Sequence, residues 1–241
     1  MNVSSLIASF KRKPYRNIFF WLMLVVVADA LAPNYVSRGR FADLALAALL
    51  FVAMVEAART RQHGMWAMAL GLPAVAMRVV AAYRPDSLVL NTTVLLLSAV
   101  FMGFLVWAVL HDLRQGDRPT DERIYGALCA YVFIGLLFAL AYTHMEYRHP
   151  GSFNIPEALT SAGASGESNL FPVFSYFSFV TMTTLGFGDI TPVSEHARAA
   201  VWFQALLGQL YLAVMVAGMV AVHVSESMRE KLNESSTDDS G

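Results

Sequence analysis

Two glycines separated by one residue punctuate the run Thr184-Leu185-Gly186-Phe187-Gly188-Asp189. A dehydrated cation can be held by backbone carbonyl oxygens at fixed spacing. Successive carbonyls face one way only where the backbone alternates between positive and negative φ. Gly186 and Gly188 reach positive φ without a Cβ clash, and the Thr184 hydroxyl adds a further oxygen below them. A glycine-rich turn between two helices would read similarly in isolation, but the flanks argue for more. Residues 171–183 read Phe-Pro-Val-Phe-Ser-Tyr-Phe-Ser-Phe-Val-Thr-Met-Thr, an aromatic stretch too short to cross a bilayer and suited to a re-entrant helix. Asn169 or Ser168 is positioned to cap it, with Pro172 in its first turn. Beyond the run, Asp189-Ile-Thr-Pro192 breaks the chain before the next apolar segment.

The elements that must hold this run are apolar. The chain has 241 residues, 56% hydrophobic and 15% charged, with mean hydropathy +0.51, a membrane composition that leaves little length for a soluble domain. Six stretches can span, at about 17–33, 41–58, 65–83, 88–110, 123–144 and 197–224. With the N-terminus inside, the cytoplasmic side holds Lys11, Arg12, Lys13, Arg16, Arg59, Arg61, Arg114, Arg118, Arg123, Arg229 and Lys231. The outer side holds Arg38, Arg40, Arg84, Arg148 and Arg198. Eleven against five fits the excess of basic residues on the inner side. A cleaved leader ending near Ala30-Leu31-Ala32 is the alternative for the first stretch, but its apolar run is long and Pro33 would follow the cut. The net charge of −1 and the lack of a basic run interleaved with aromatics give no sign of nucleic-acid binding. Cys129, the single cysteine, permits no intrachain disulfide.

Over about 171–224 the chain resembles the pore of the tetrameric potassium channel family, in its six-transmembrane prokaryotic type. The resemblance implies K+ as the permeant ion, held by backbone oxygens of Thr184, Leu185, Gly186 and Phe187, with no other cofactor. It implies a homotetramer, because one chain carries one filter. Thr183, Asp189, Tyr176, Phe177 and Val180 occupy filter-supporting positions. Leu185 stands where the family usually has Val, but its carbonyl does the coordinating. Phe187 replaces Tyr and removes a tethering hydroxyl, so the cuff formed with Tyr176 and Phe177 should be looser. Val180 stands where some relatives carry a Glu, leaving Asp189 to bond backbone or water. Gly208, twenty residues after Gly188, matches the family's hinge glycine, with close helix packing as the other reading. His223, at the inner end of the last span, is either a solvated helix-end histidine or part of an inner pH gate. Ala213, Ala217 and Ala221 form a small-residue face suited to helix contact.

The expected architecture is therefore an all-α membrane protein. It has six transmembrane helices plus a re-entrant pore helix and selectivity filter, multi-pass in the cell (inner) membrane with both termini cytoplasmic. Residues 1–16 form the cytoplasmic N-terminus, 17–111 a four-helix bundle, 112–122 a linker and 123–224 the pore domain. Thr120 with Asp121 and Glu122 reads as the cap and acidic first turn of the fifth helix. The outer loop 145–170, rich in Ser, Gly, Ala and Pro, is expected to be mobile, and 225–241 a polar, disordered tail.

The fourth span, 88–110, carries no Lys or Arg, unlike a voltage sensor. Arg78 is the one basic residue within a span. Asp29 and Asp43 fall at the same outer depth, so a structural charge cluster is expected, with a ligand or proton sensor as the alternative. Glu56 lies at the inner end of the second span. A secondary transporter would show paired broken helices from internal repeats, and none is evident. A weakly selective cation channel and a non-conducting sensor or accessory subunit remain alternatives. No nucleotide-binding motif, soluble ligand domain or catalytic residue is assigned, and the partners expected are the lipid bilayer and copies of the same chain.

Overall fold

Apolar runs become helices here because hydrocarbon offers backbone N–H and C=O groups no partner outside the segment itself. The computed structural model describes residues 14–31, 38–58, 64–83, 88–114, 120–160 and 170–238. Its helices are α1 Pro14–Leu31, α2 Arg38–Ala58, α3 Gly64–Tyr83, α4 Leu88–Arg114, α5 Thr120–Arg148, the short α6 Glu157–Thr160, α7 Phe171–Met182 and α8 Glu195–Asp238. Two short strands, β1 Phe153–Asn154 and β2 Thr191–Pro192, pair antiparallel.

Among the described residues, four helices are long and apolar enough to cross a membrane: Gly64–Ala81, Leu90–Arg114, Glu122–Arg148 and Glu195–Ala221. The apolar part of α2, Leu46–Val55, and α7 are shorter. One continuous core runs from the bundle into the fifth helix, joining Ile18 and Leu22 of α1, Leu50 of α2, Phe101 and Leu105 of α4, Phe133 and Leu136 of α5, and Phe171 at the start of α7.

The start of α1, the end of α4 and the start of α5 meet at Tyr15. Its N–H donates to Glu122 Oε2 at 2.9 Å and its hydroxyl to Asp112 Oδ2 at 2.6 Å. The Cys129 thiol donates to its carbonyl at 3.6 Å. Pro14 opens α1, and the buried Glu122 carboxylate satisfies the N–H that follows, where a negative group also suits the helix dipole. Glu122 therefore caps a different helix from its own.

Three sequence expectations change. The linker read at 112–122 is helical at both ends, since α4 runs to Arg114 and α5 starts at Thr120. The outer loop is partly ordered: α5 extends to Arg148, and Glu146 accepts from the N–H groups of Gly151 (2.7 Å) and Phe153 (3.0 Å). The tail is helical as far as Asp238 instead of disordered. Polarity alone suggested disorder there, yet Glu226, Met228, Arg229, Glu230, Lys231 and Leu232 all have high helix propensity and prolong a helix already nucleated in the membrane.

Candidate functional site

The run 184–189 follows directly from the C-terminus of α7. Thr183 is the C-cap, and its hydroxyl donates back to the Phe179 carbonyl at 2.7 Å. Positive φ occurs at Thr184 (60°), Gly186 (54°) and Gly188 (78°), and at neither Leu185 nor Phe187. This is the alternation a carbonyl ladder needs, with one more positive position than the two glycines suggested. A β-branched residue at positive φ is strained. Thr184 is held there by its N–H donating to Thr181 O at 3.1 Å and its hydroxyl donating to Thr183 O at 2.6 Å.

The amides that follow turn back into α7. Leu185 and Gly186 both donate to the Val180 carbonyl, at 3.0 and 3.3 Å. With their N–H groups committed to the helix, the strand's carbonyls remain for another ligand. The negative end of the α7 dipole points toward the same place, which favours a cation. Val180 thus supports the run through its backbone carbonyl.

At the far end of the run, Asp189 takes a partner that the sequence reading missed. The Tyr176 hydroxyl donates to Asp189 Oδ2 at 2.8 Å, a side-chain partner in addition to the backbone or water expected. Phe177 is buried among Tyr142, Phe153 and Phe174 with edge-on ring contacts. Further on, β2 pairs with β1 (Phe153↔Pro192, Asn154↔Thr191), and Val193 and Ser194 both donate to the Ser152 carbonyl, at 2.8 and 3.2 Å. The segment is pinned at both ends. Ser194 then caps α8, its hydroxyl accepting from Ala197 N–H at 3.2 Å. Removing the tether by Tyr176→Phe or Asp189→Ala should hasten loss of ion flux over time. The double variant should be no worse than the stronger single one, as flux decay from liposomes would read.

The N-cap of α7 is Leu170, with no side-chain cap. Ser168 and Asn169, expected to cap it, lie outside the described residues. Pro172 is in the first turn and removes one N–H that would need a partner, while Phe174 donates to Leu170 O at 2.9 Å. Two glycines let neighbouring helices close on α7. A Cβ at Gly135 of α5 would lie 2.6 Å from the Phe179 ring, and one at Gly208 of α8 would lie 2.8 Å from Met182 Cγ and 3.0 Å from Met182 O. Gly208 is therefore a close-packing position, and α8 continues through it as helix.

Arg78 of α3 is buried, with its guanidinium 5.9 Å from the ring centre of Phe171, the first residue of α7. The structure thus brings the Arg78 guanidinium of α3 against the start of α7. The side chains of Asp29, Asp43, Glu56 and His223 lie outside the described residues. Ala213, Ala217 and Ala221 are exposed on the protomer.

Residues 127–224 match a protein-family profile described as an ion channel. The match supports an ion channel. It covers most of α5 through residue 224 of α8, the elements that build and hold the 184–189 run. No curated protein matches the chain.

Proposed function

We propose that four copies of the chain form a potassium-selective channel that conducts K+ passively through a ring of four 184–188 strands. The observation that carries this reading is the positive φ at Thr184, Gly186 and Gly188 together with the Leu185 and Gly186 amides bound to Val180 O. This geometry leaves the Thr184, Leu185, Gly186 and Phe187 carbonyls available to replace a hydration shell. One strand supplies a quarter of such a ring. On the protomer, Leu185 is 57% exposed and Phe187 65%, and α8 offers Trp202, Phe203, Leu206, Leu210 and Val214 outward. Those surfaces suit contact with copies of the chain and with lipid.

The same reading has six spans, both termini cytoplasmic and the run near the outer mouth, in keeping with the basic residues concentrated on the inner side. Gating is not steeply voltage-dependent. One charge crossing the full field yields about 2.3 kcal/mol per 100 mV, against the 3–4 charges of a true sensor. Arg78→Gln should lower the melting temperature of the assembled protein, since a buried cation–π contact contributes up to about 2 kcal/mol. The conductance–voltage curve should barely move. A steep wild-type curve that flattens in this variant would make Arg78 a sensor.

The test is flux from liposomes holding the purified protein. The reading expects K+ efflux well above Na+ efflux. Equal rates would indicate a weakly selective cation channel, and no flux a non-conducting subunit. Mass measurement in detergent should give a tetramer.

A further inference from the structure

Gln204 sits in an otherwise apolar stretch of α8, Ala-Val-Trp-Phe-Gln-Ala-Leu-Leu, and is fully buried. A buried primary amide is costly unless its donors and acceptor find partners. Here they do. Nε2 donates to Ser178 Oγ at 2.7 Å and to the Ser178 carbonyl at 3.2 Å, and Oε1 accepts from the Tyr142 hydroxyl at 2.6 Å. Ser178 Oγ in turn donates to Gly135 O at 2.6 Å. One amide therefore ties α8 to both α7 and α5, and the Ser178 hydroxyl ties α7 to α5.

The placement matters more than the bond count. Ser178 and Met182 are one helical turn apart on α7, as are Gln204 and Gly208 on α8, so the two helices meet at both levels. Between those levels lies Val180, whose carbonyl receives the Leu185 and Gly186 amides. Apolar contact alone would let α7 slide or rotate against α8, whereas a hydrogen bond fixes direction and height.

We propose that Gln204 is a positioning residue for ion selection. It sets the register of α7 against α8, and through Val180 O it sets the height at which the Leu185 and Gly186 carbonyls face the axis. The inference rests on the reading of 184–188 as a potassium filter.

The experiment compares K+ and Na+ reversal potentials in planar bilayers for wild type, Gln204→Met, Ser178→Ala and the double variant, with assembly checked by mass. Methionine keeps the side chain's length and removes its hydrogen bonds. Na+ permeability relative to K+ should rise on the order of tenfold in Gln204→Met tetramers, equivalent to about 1.4 kcal/mol. Ser178→Ala should move it the same way, and the double variant should be no worse than Gln204→Met alone. A Gln204→Met tetramer that is less stable but keeps the wild-type ratio would overturn the proposal, reducing Gln204 to a packing role. Should Gln204→Met fail to assemble, an unchanged ratio in Ser178→Ala overturns it equally. A wild type that does not distinguish K+ from Na+ overturns the filter reading and this inference with it, and is recognisable because no substitution is needed to see it.

Discussion

Replacing Gly186 or Gly188 with alanine should abolish potassium-selective flux. Both glycines hold left-handed φ, 54° and 78°, and an L-residue there costs about 1–2 kcal/mol, or about 4–8 kcal/mol over a ring of four. Within the protomer, no atom beyond the adjacent residues lies within 4 Å of a Cβ added at either position, so the penalty inside one copy is conformational. The backbone can relieve it by returning to negative φ, which turns a carbonyl away from its neighbours. Thr184 already carries such strain, and three hydrogen bonds, from Thr184 N–H, Thr184 Oγ1 and Leu185 N–H, hold the turn around it. A strained residue at 186 would have only the longer bond from its own N–H to the Val180 carbonyl, at 3.3 Å, in place of the shorter bonds around Thr184. Chirality separates strain from bulk: D-alanine introduced by semisynthesis at Gly188 should keep selective flux where L-alanine loses it. Loss of flux with both would assign the effect to size.

Gly208→Val is the second large effect expected. The new side chain would start 3.0 Å from Met182 O and 2.8 Å from Met182 Cγ. The methionine tip can move aside. The carbonyl cannot do so freely, because it belongs to the last turn of α7 and also accepts from the Tyr131 hydroxyl at 3.3 Å. Relief must come from shifting α7 or α8, at about 1–3 kcal/mol per copy for overpacking. Because only Thr183 separates Met182 from the proposed filter run, the shift should reduce assembly and flux together, as mass measurement and liposome efflux would record. Gly208→Ala should show the same loss in milder form. If Gly208→Ala altered only open probability, with assembly and selectivity intact, Gly208 would be acting as a hinge.

Much of this site was readable because its conformation is written in residue type. Glycine at 186 and 188 marks positive φ directly, and the aromatic run 171–183 is too short for a span, so both features need only local chemistry. Thr184 escaped that logic: a β-branched residue gives no hint of positive φ until its hydrogen bonds are seen. Contacts between distant residues were equally hidden. Tyr15 and Glu122 are 107 positions apart and Tyr142 and Gln204 are 62 apart, and no periodicity pairs them. Tyr176 and Asp189 lie only 13 apart, but the pairing depends on how far α7 is from the strand that leaves it. The helical tail was missed for another reason. Low hydrophobicity describes a segment that cannot fold alone, and this one extends a helix that the membrane segment has already started.

The central claim is that the backbone oxygens of Thr184, Leu185, Gly186 and Phe187 strip and replace the water of K+. Anomalous scattering from crystals of the purified tetramer grown in Rb+, which substitutes for K+, tests it most directly. The account predicts Rb+ sites stacked on the fourfold axis between successive carbonyl rings from Thr184 to Phe187, lost when Na+ replaces Rb+. An axis with no Rb+ site at those rings, or Rb+ held only in a wide hydrated cavity, would contradict it.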